Sequence, residues 1–113
     1  GLFMEDICFL VQGSAEEPYK VTFKKNGSNL SAYCTCPAGE NGQYCKHRFR
    51  ILDGCGDGIV SSNKDEVMIV KSWLRGTDVE AALNEVAEKE RVLEKVKQDL
   101  SAAKKKLARI MKD

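Results

Sequence analysis

The stretch CTCPAGENGQYCKH, residues 34–47, constrains this chain more than any other. It holds three of the five cysteines and the only histidine. The spacing is C-x-C, then eight residues, then C-x-H. Zinc favours tetrahedral sites built from cysteine thiolates and histidine nitrogen, and structural sites fill all four positions with protein. A fold that uses these four side chains together must bring 34–36 against 45–47. Two other chemistries compete. A disulfide across C-x-C is strained, and an odd cysteine count without a secretion signal argues for a reducing compartment. A Cys45/His47 nucleophile–base pair lacks an obvious orienting carboxylate, and two further cysteines beside it suit a metal better. With four donors supplied, Cys8 and Cys55 read as core or incidental thiols.

The flanking sequence shows how the convergence can arise. Ile7 to Val11 reads as a first strand, ending at Gln12-Gly13-Ser14. From Tyr19 to Lys25, apolar Tyr19, Val21 and Phe23 alternate with Lys20, Thr22 and Lys24, the period of a half-buried strand. Asn26-Gly27 then predicts a type I′ hairpin turn. That turn pairs Lys25 with Ser28, Phe23 with Leu30, Val21 with Ala32 and Tyr19 with Cys34. The returning strand delivers Cys34 and Cys36 on one face. Pro37 stops it, and Ala38 to Gln43 reads as loop. From Tyr44 a short helix is expected, with Cys45, Phe49 and Leu52 on one stripe and Gly54 and Gly56 ending it. Its N-terminal amides favour thiolate charge at Cys45. A head this poor in large apolar residues needs the folding free energy that a metal supplies.

The string CTCP…CKH resembles the SWIM zinc finger, whose pattern is CxCx(n)CxH. It matches also in the proline after the second cysteine and the lysine between the last two ligands. The resemblance implies that Cys34, Cys36, Cys45 and His47 hold one structural zinc ion per chain. It implies a β-β-α unit, covers roughly residues 7–55 and says nothing about the helical half. The implied role is binding DNA or protein, not catalysis.

The second half is helical in pattern. Lys64 to Arg75 places Val67, Val70 and Leu74 on one face with Trp73 beside them, and Gly76 is a C-cap candidate. Thr77 and Glu80 have capping-box spacing. From there to Lys112 no proline or glycine intervenes. Val79, Val86, Leu93, Leu100 and Leu107 recur every seven residues. Ala82, Lys89, Val96, Ala103 and Ile110 follow each by three. This is the a/d heptad of a coiled coil. The helix is expected to pair with a second copy or to fold back on its own head; its length favours the homodimer. The expected fold class is α+β: a zinc-stabilised β-β-α head on an antiparallel hairpin, then a helical half with a long coiled-coil helix. The expected divisions are 1–60 for the finger, 61–76 for a connecting helix and 77–113 for the arm.

Charge bounds the partners. The formal net charge is +1, so no global field steers the chain to nucleic acid or an anionic membrane. Lys46, Arg48 and Arg50 on the short helix, with Lys24 and Lys25 at the hairpin tip, are the candidate phosphate contacts; Tyr33 and Tyr44 are the nearby aromatics. The competing reading is a solvated helix face diluted by Glu40, Asp53 and Asp57, and it makes a protein partner the better expectation than DNA. No second constellation suggests an enzyme or a small-molecule substrate. No apolar run has the roughly 20 residues that span a bilayer. The expected location is cytoplasmic, or nuclear in a eukaryote. Gly1-Leu2-Phe3 ahead of Met4 carries no basic leader and is open to two readings, an added leader or the edge of a longer protein.

Overall fold

The structure, a computed structural model, describes residues 4–112; the Gly1-Leu2-Phe3 question and Asp113 lie outside them. The chain forms two units, Gly1–Val79 and Glu80–Asp113, and the 61–76 segment groups with the head.

The head opens with three antiparallel strands in the order β1-β2-β3: β1 (Met4–Val11), β2 (Tyr19–Asn26) and β3 (Asn29–Cys34). One face carries the core. Ile7, Phe9 and Val11 of β1 are buried with Val21 and Phe23 of β2 and Leu30 and Cys34 of β3. Ile7 lies opposite Phe23 and Phe9 opposite Val21. The Phe9 and Phe23 rings meet edge to face at 6.0 Å, a favoured aromatic arrangement.

The hairpin register differs from the expected one by two residues. Val21 pairs with Cys34, Phe23 with Ala32 and Lys25 with Leu30, and Asn26 faces Asn29. Gly27 and Ser28 are therefore the central turn residues. Gly27 alone has positive φ, at 60°. A positive φ at the first central position only, with glycine there, is the pattern of a type II′ turn, not type I′. Because strand side chains alternate with period two, this shift leaves every residue on its expected face.

Beyond β3 the expected loop is partly helical. Pro37 opens α1 (Pro37–Glu40) at the position where its fixed φ and missing N–H are tolerated. The next helix, α2 (Lys46–Leu52), has Cys45 at its N-cap. It closes with a Schellman motif: Cys55 N–H donates to Arg50 O and Gly54 N–H to Ile51 O, both at 2.9 Å, with Gly54 at φ 94°. Ile51 and Leu52 are buried, whereas Phe49 is half-buried beneath Tyr44 at 4.7 Å. After a 3₁₀ turn (Lys64–Glu66), α3 (Val67–Trp73) packs on α2 and buries Val67, Val70 and Trp73. Leu74, expected on the same face, is only half-buried.

The sequence pattern did not reveal the segment Gly58–Val60. Gln12 N–H donates to Gly58 O and Val60 N–H to Leu10 O, both at 2.8 Å, and Ile59 bridges to Val11. This short stretch covers the C-terminal end of the outer edge of β1, the kind of open edge that otherwise invites pairing with another chain.

The described part of the second unit lies within α4 (Asp78–Lys112), one unbroken helix of 35 residues. None of its described residues is buried. Leu93, Val96, Leu100, Leu107 and Ile110 are each more than half exposed. No helix among the described residues is long and apolar enough to cross a membrane.

Candidate metal centre

Strand β3 ends at Cys34. Two residues on, Cys36 N-caps α1, so the chain reverses while both thiols stay on the same side. The α1 turn and the loop after it return the chain to Cys45, and the first turn of α2 presents His47. The ligand atoms of Cys34, Cys36, Cys45 and His47 all lie within 4.8 Å of one another. Cys36 Sγ is 3.4 Å from Cys45 Sγ, and His47 Nδ1 is 3.6 Å from Cys45 Sγ and 3.8 Å from Cys34 Sγ. Zn–S bonds near 2.3 Å and Zn–N bonds near 2.0 Å in a tetrahedron set ligand–ligand edges of about 3.4–3.8 Å. The donor set and its spacing fit zinc. All three cysteines are buried.

The surrounding backbone supports anionic sulfur. Gly39 N–H donates to Cys36 Sγ at 3.3 Å, and Cys36 N–H donates to Cys34 Sγ at 3.5 Å. Burial pushes the Cys34 thiol up to about 12. Burial also opposes ionisation of Cys45, but hydrogen bonds from the Arg48 backbone, from the Cys36 and Cys34 thiols and from the His47 backbone outweigh it, and Cys45 falls below the ordinary thiol value. Within the four-donor cluster Cys45 is thus the easier thiol to ionise and Cys34 the harder. Burial holds His47 below the usual imidazole range, helped by the charges of Lys46 and Arg50. A neutral imidazole is the form that ligates metal. The Tyr19 ring lies 5.1 Å from the His47 ring, a cover that the expected register did not provide.

Gly39 is fixed by close approach. A Cβ there would stand 2.5 Å from Cys34 O and 2.8 Å from Cys34 Cβ. Gly39→Ala must therefore push α1 off the end of β3 and pull the Gly39 amide from Cys36 Sγ. We expect zinc affinity to fall by roughly 10–100-fold, the usual range for lost outer-shell support. Competition with a chromophoric chelator measures it; unchanged affinity would mean that the close approach is not needed to hold Cys36.

The five candidate phosphate contacts sit in different local settings. Arg48 is held within the head: its guanidinium donates to Gln43 O at 2.6 Å and Ala32 O at 3.3 Å, and lies 5.3 Å from the Phe49 ring centre. Lys25 Nζ donates to Gly27 O at 2.7 Å and so closes the turn. Lys24 is exposed above Tyr33 at 5.8 Å, on the sheet face opposite Cys34. Lys46 and Arg50, one helical turn apart, share a cleft of about 670 Å³ with Tyr19, Tyr44 and His47. Cys8 and Cys55 are half-buried free thiols outside the metal cluster.

Residues 19–52 match the family model of the SWIM zinc finger. No curated protein and no solved structure matches the chain.

Proposed function

With residues 19–52 as a SWIM zinc finger, we propose that this chain is a self-associating adaptor that binds a protein partner. In this reading Cys34, Cys36, Cys45 and His47 hold one zinc ion per chain. When bound, the metal supplies a fourfold cross-link that is structural, and the chain itself carries out no reaction on a small molecule. The reading places it in a reducing compartment, cytoplasmic or nuclear, which suits five cysteines that form no disulfide.

The observation that carries the reading is α4. Its apolar seam repeats every seven residues, and Leu93, Leu100 and Leu107 on it are 54–59% exposed. Water contact over so long an apolar stripe is unfavourable, and burying it against a second helix relieves that cost. Light scattering of the full chain is expected to give a dimer mass. Leu93→Ala with Leu100→Ala is expected to shift the dimer toward monomer by at least about tenfold in dissociation constant. A monomer mass for the unaltered chain at high concentration refutes the self-associating part.

A second reading rests on Lys46 and Arg50. Their shared cleft, with Tyr44 beside it, offers two cations and an aromatic face to single-stranded or duplex DNA. Phosphate binding would weaken steeply with salt, whereas docking of a protein on an apolar face would not.

A further inference from the structure

We infer that two copies of α4 pair antiparallel. The inference rests on the self-association proposed above and specifies its geometry. The charge of the helix is divided along its length. From Asp78 to Glu90 there are five carboxylates and one lysine; from Lys95 to Lys112 there are seven basic residues and one carboxylate. The helix macrodipole favours this polarity only in the first and last turns. It gives no reason for Glu90 or Lys97, which lie well inside.

The residues flanking the seam distinguish the two orientations. With Val79 at a and Ala82 at d, the e positions include Glu90, Lys97 and Lys104, and the g positions Glu85, Asp99 and Lys106. In a parallel pair each g side chain meets the e side chain of the next heptad on its partner. Glu85 then meets Glu90, two carboxylates, and only Asp99 with Lys104 attracts. Asp99 already has Lys95 at 3.9 Å on its own helix. In an antiparallel pair g meets g and e meets e. With the seams fully overlapped, Glu85 meets Lys106 and Glu90 meets Lys97. Each contact occurs twice and all are attractive. Among the described residues these four side chains make no ion pair within their own chain.

The seam itself agrees. A parallel pair stacks each residue on its own copy, so Lys89 faces Lys89 and Ala103 faces Ala103. Parallel two-stranded pairs also favour β-branched residues at a and leucine at d, and this seam has leucine at a from Leu93 onward. The antiparallel overlap sets Lys89 against Leu100, Ala82 against Leu107 and Val86 against Ala103. Small then faces large along the seam, and packing evens out. The points where the two chains enter their arms lie at opposite ends of the pair, about 50 Å apart at 1.5 Å per residue.

The test is a charge swap in the full chain, read as the dimer dissociation constant by sedimentation equilibrium at low salt. Glu85→Lys with Glu90→Lys is expected to weaken the dimer by about tenfold or more. Adding Lys97→Glu and Lys106→Glu is expected to restore it. Glu88→Lys with Glu94→Lys changes net charge equally away from the seam and is expected to leave the constant within about threefold. A dimer indifferent to the first swap overturns the antiparallel inference and leaves self-association standing, because the parallel pair only exchanges one like-charge contact for another. A dimer that the control swap weakens as much also overturns it. So does an assembly of three or four chains. A monomeric unaltered chain overturns the proposed self-association, and the pairing with it.

Discussion

His47→Ala is expected to yield protein with far less than one zinc per chain and a head that no longer melts cooperatively. The imidazole supplies one corner of a four-donor cluster whose atoms lie within 4.8 Å of one another. Without it, Cys34, Cys36 and Cys45 are left as three buried thiols around an open corner. Structural zinc contributes on the order of 10 kcal/mol in small fingers, more than a head of this size can spare. Elemental analysis after anaerobic purification, with circular dichroism melts, checks both parts. A variant that keeps its metal and its melt would remove His47 from the ligand set. Acid should mimic the substitution. Burial, with Lys46 and Arg50, lowers the His47 value in the folded chain, so the unfolded chain takes up the proton first. Stability is therefore intact above the ordinary histidine range and is lost as pH falls through it. Protonation of the thiolates releases metal in the same direction.

Phe23→Ala is expected to cost about 3–5 kcal/mol, enough to leave the metal-free head largely unfolded. Phe23 is fully buried, meets Phe9 edge to face and lies opposite Ile7 and Ala32. The site cannot collapse easily, because both neighbouring strands are fixed by their ladders. Excess zinc should partly offset the loss, since a ligand that binds only the folded chain stabilises it by mass action. Thermal melts with zinc and with chelator test this. The expected result is a folded variant in zinc and a largely unfolded one in chelator. A loss below about 1 kcal/mol would show that this face is not the centre of the core.

The ligand set, the strand faces and the long helix were legible in the sequence because each is a local pattern. Donor spacing announces the cluster, period two sorts Val21 and Phe23 from Thr22 and Lys24, and a seven-residue repeat free of proline and glycine marks α4. Register was not legible. Alternation cannot distinguish two pairings that differ by two residues, and Asn26-Gly27 pointed to the wrong centre. The true register frees Tyr19 to reach past Cys34 and cover His47, a gain that only the assembled head reveals. The short helix at Pro37–Glu40 was not legible for a different reason: the residue that follows the end of one element can begin the next. The hydrogen bonds of Arg48 were not legible, because its carbonyl partners, Ala32 and Gln43, come together only after folding. The Gly58–Val60 cover has almost no local signature, since three residues are too few to show a period.

The cover on β1 and the α3 helix also set the smallest piece of this protein that can be moved elsewhere. Ile7, Phe9, Val11, Ile59, Val67, Val70 and Trp73 are buried, and all lie outside 19–52. An excised motif would carry the four metal donors but expose Val21 and Phe23 to water on the side where Ile7 and Phe9 had been. The transplantable cassette is therefore the stretch through Val79, more than twice as long as the signature that identifies it.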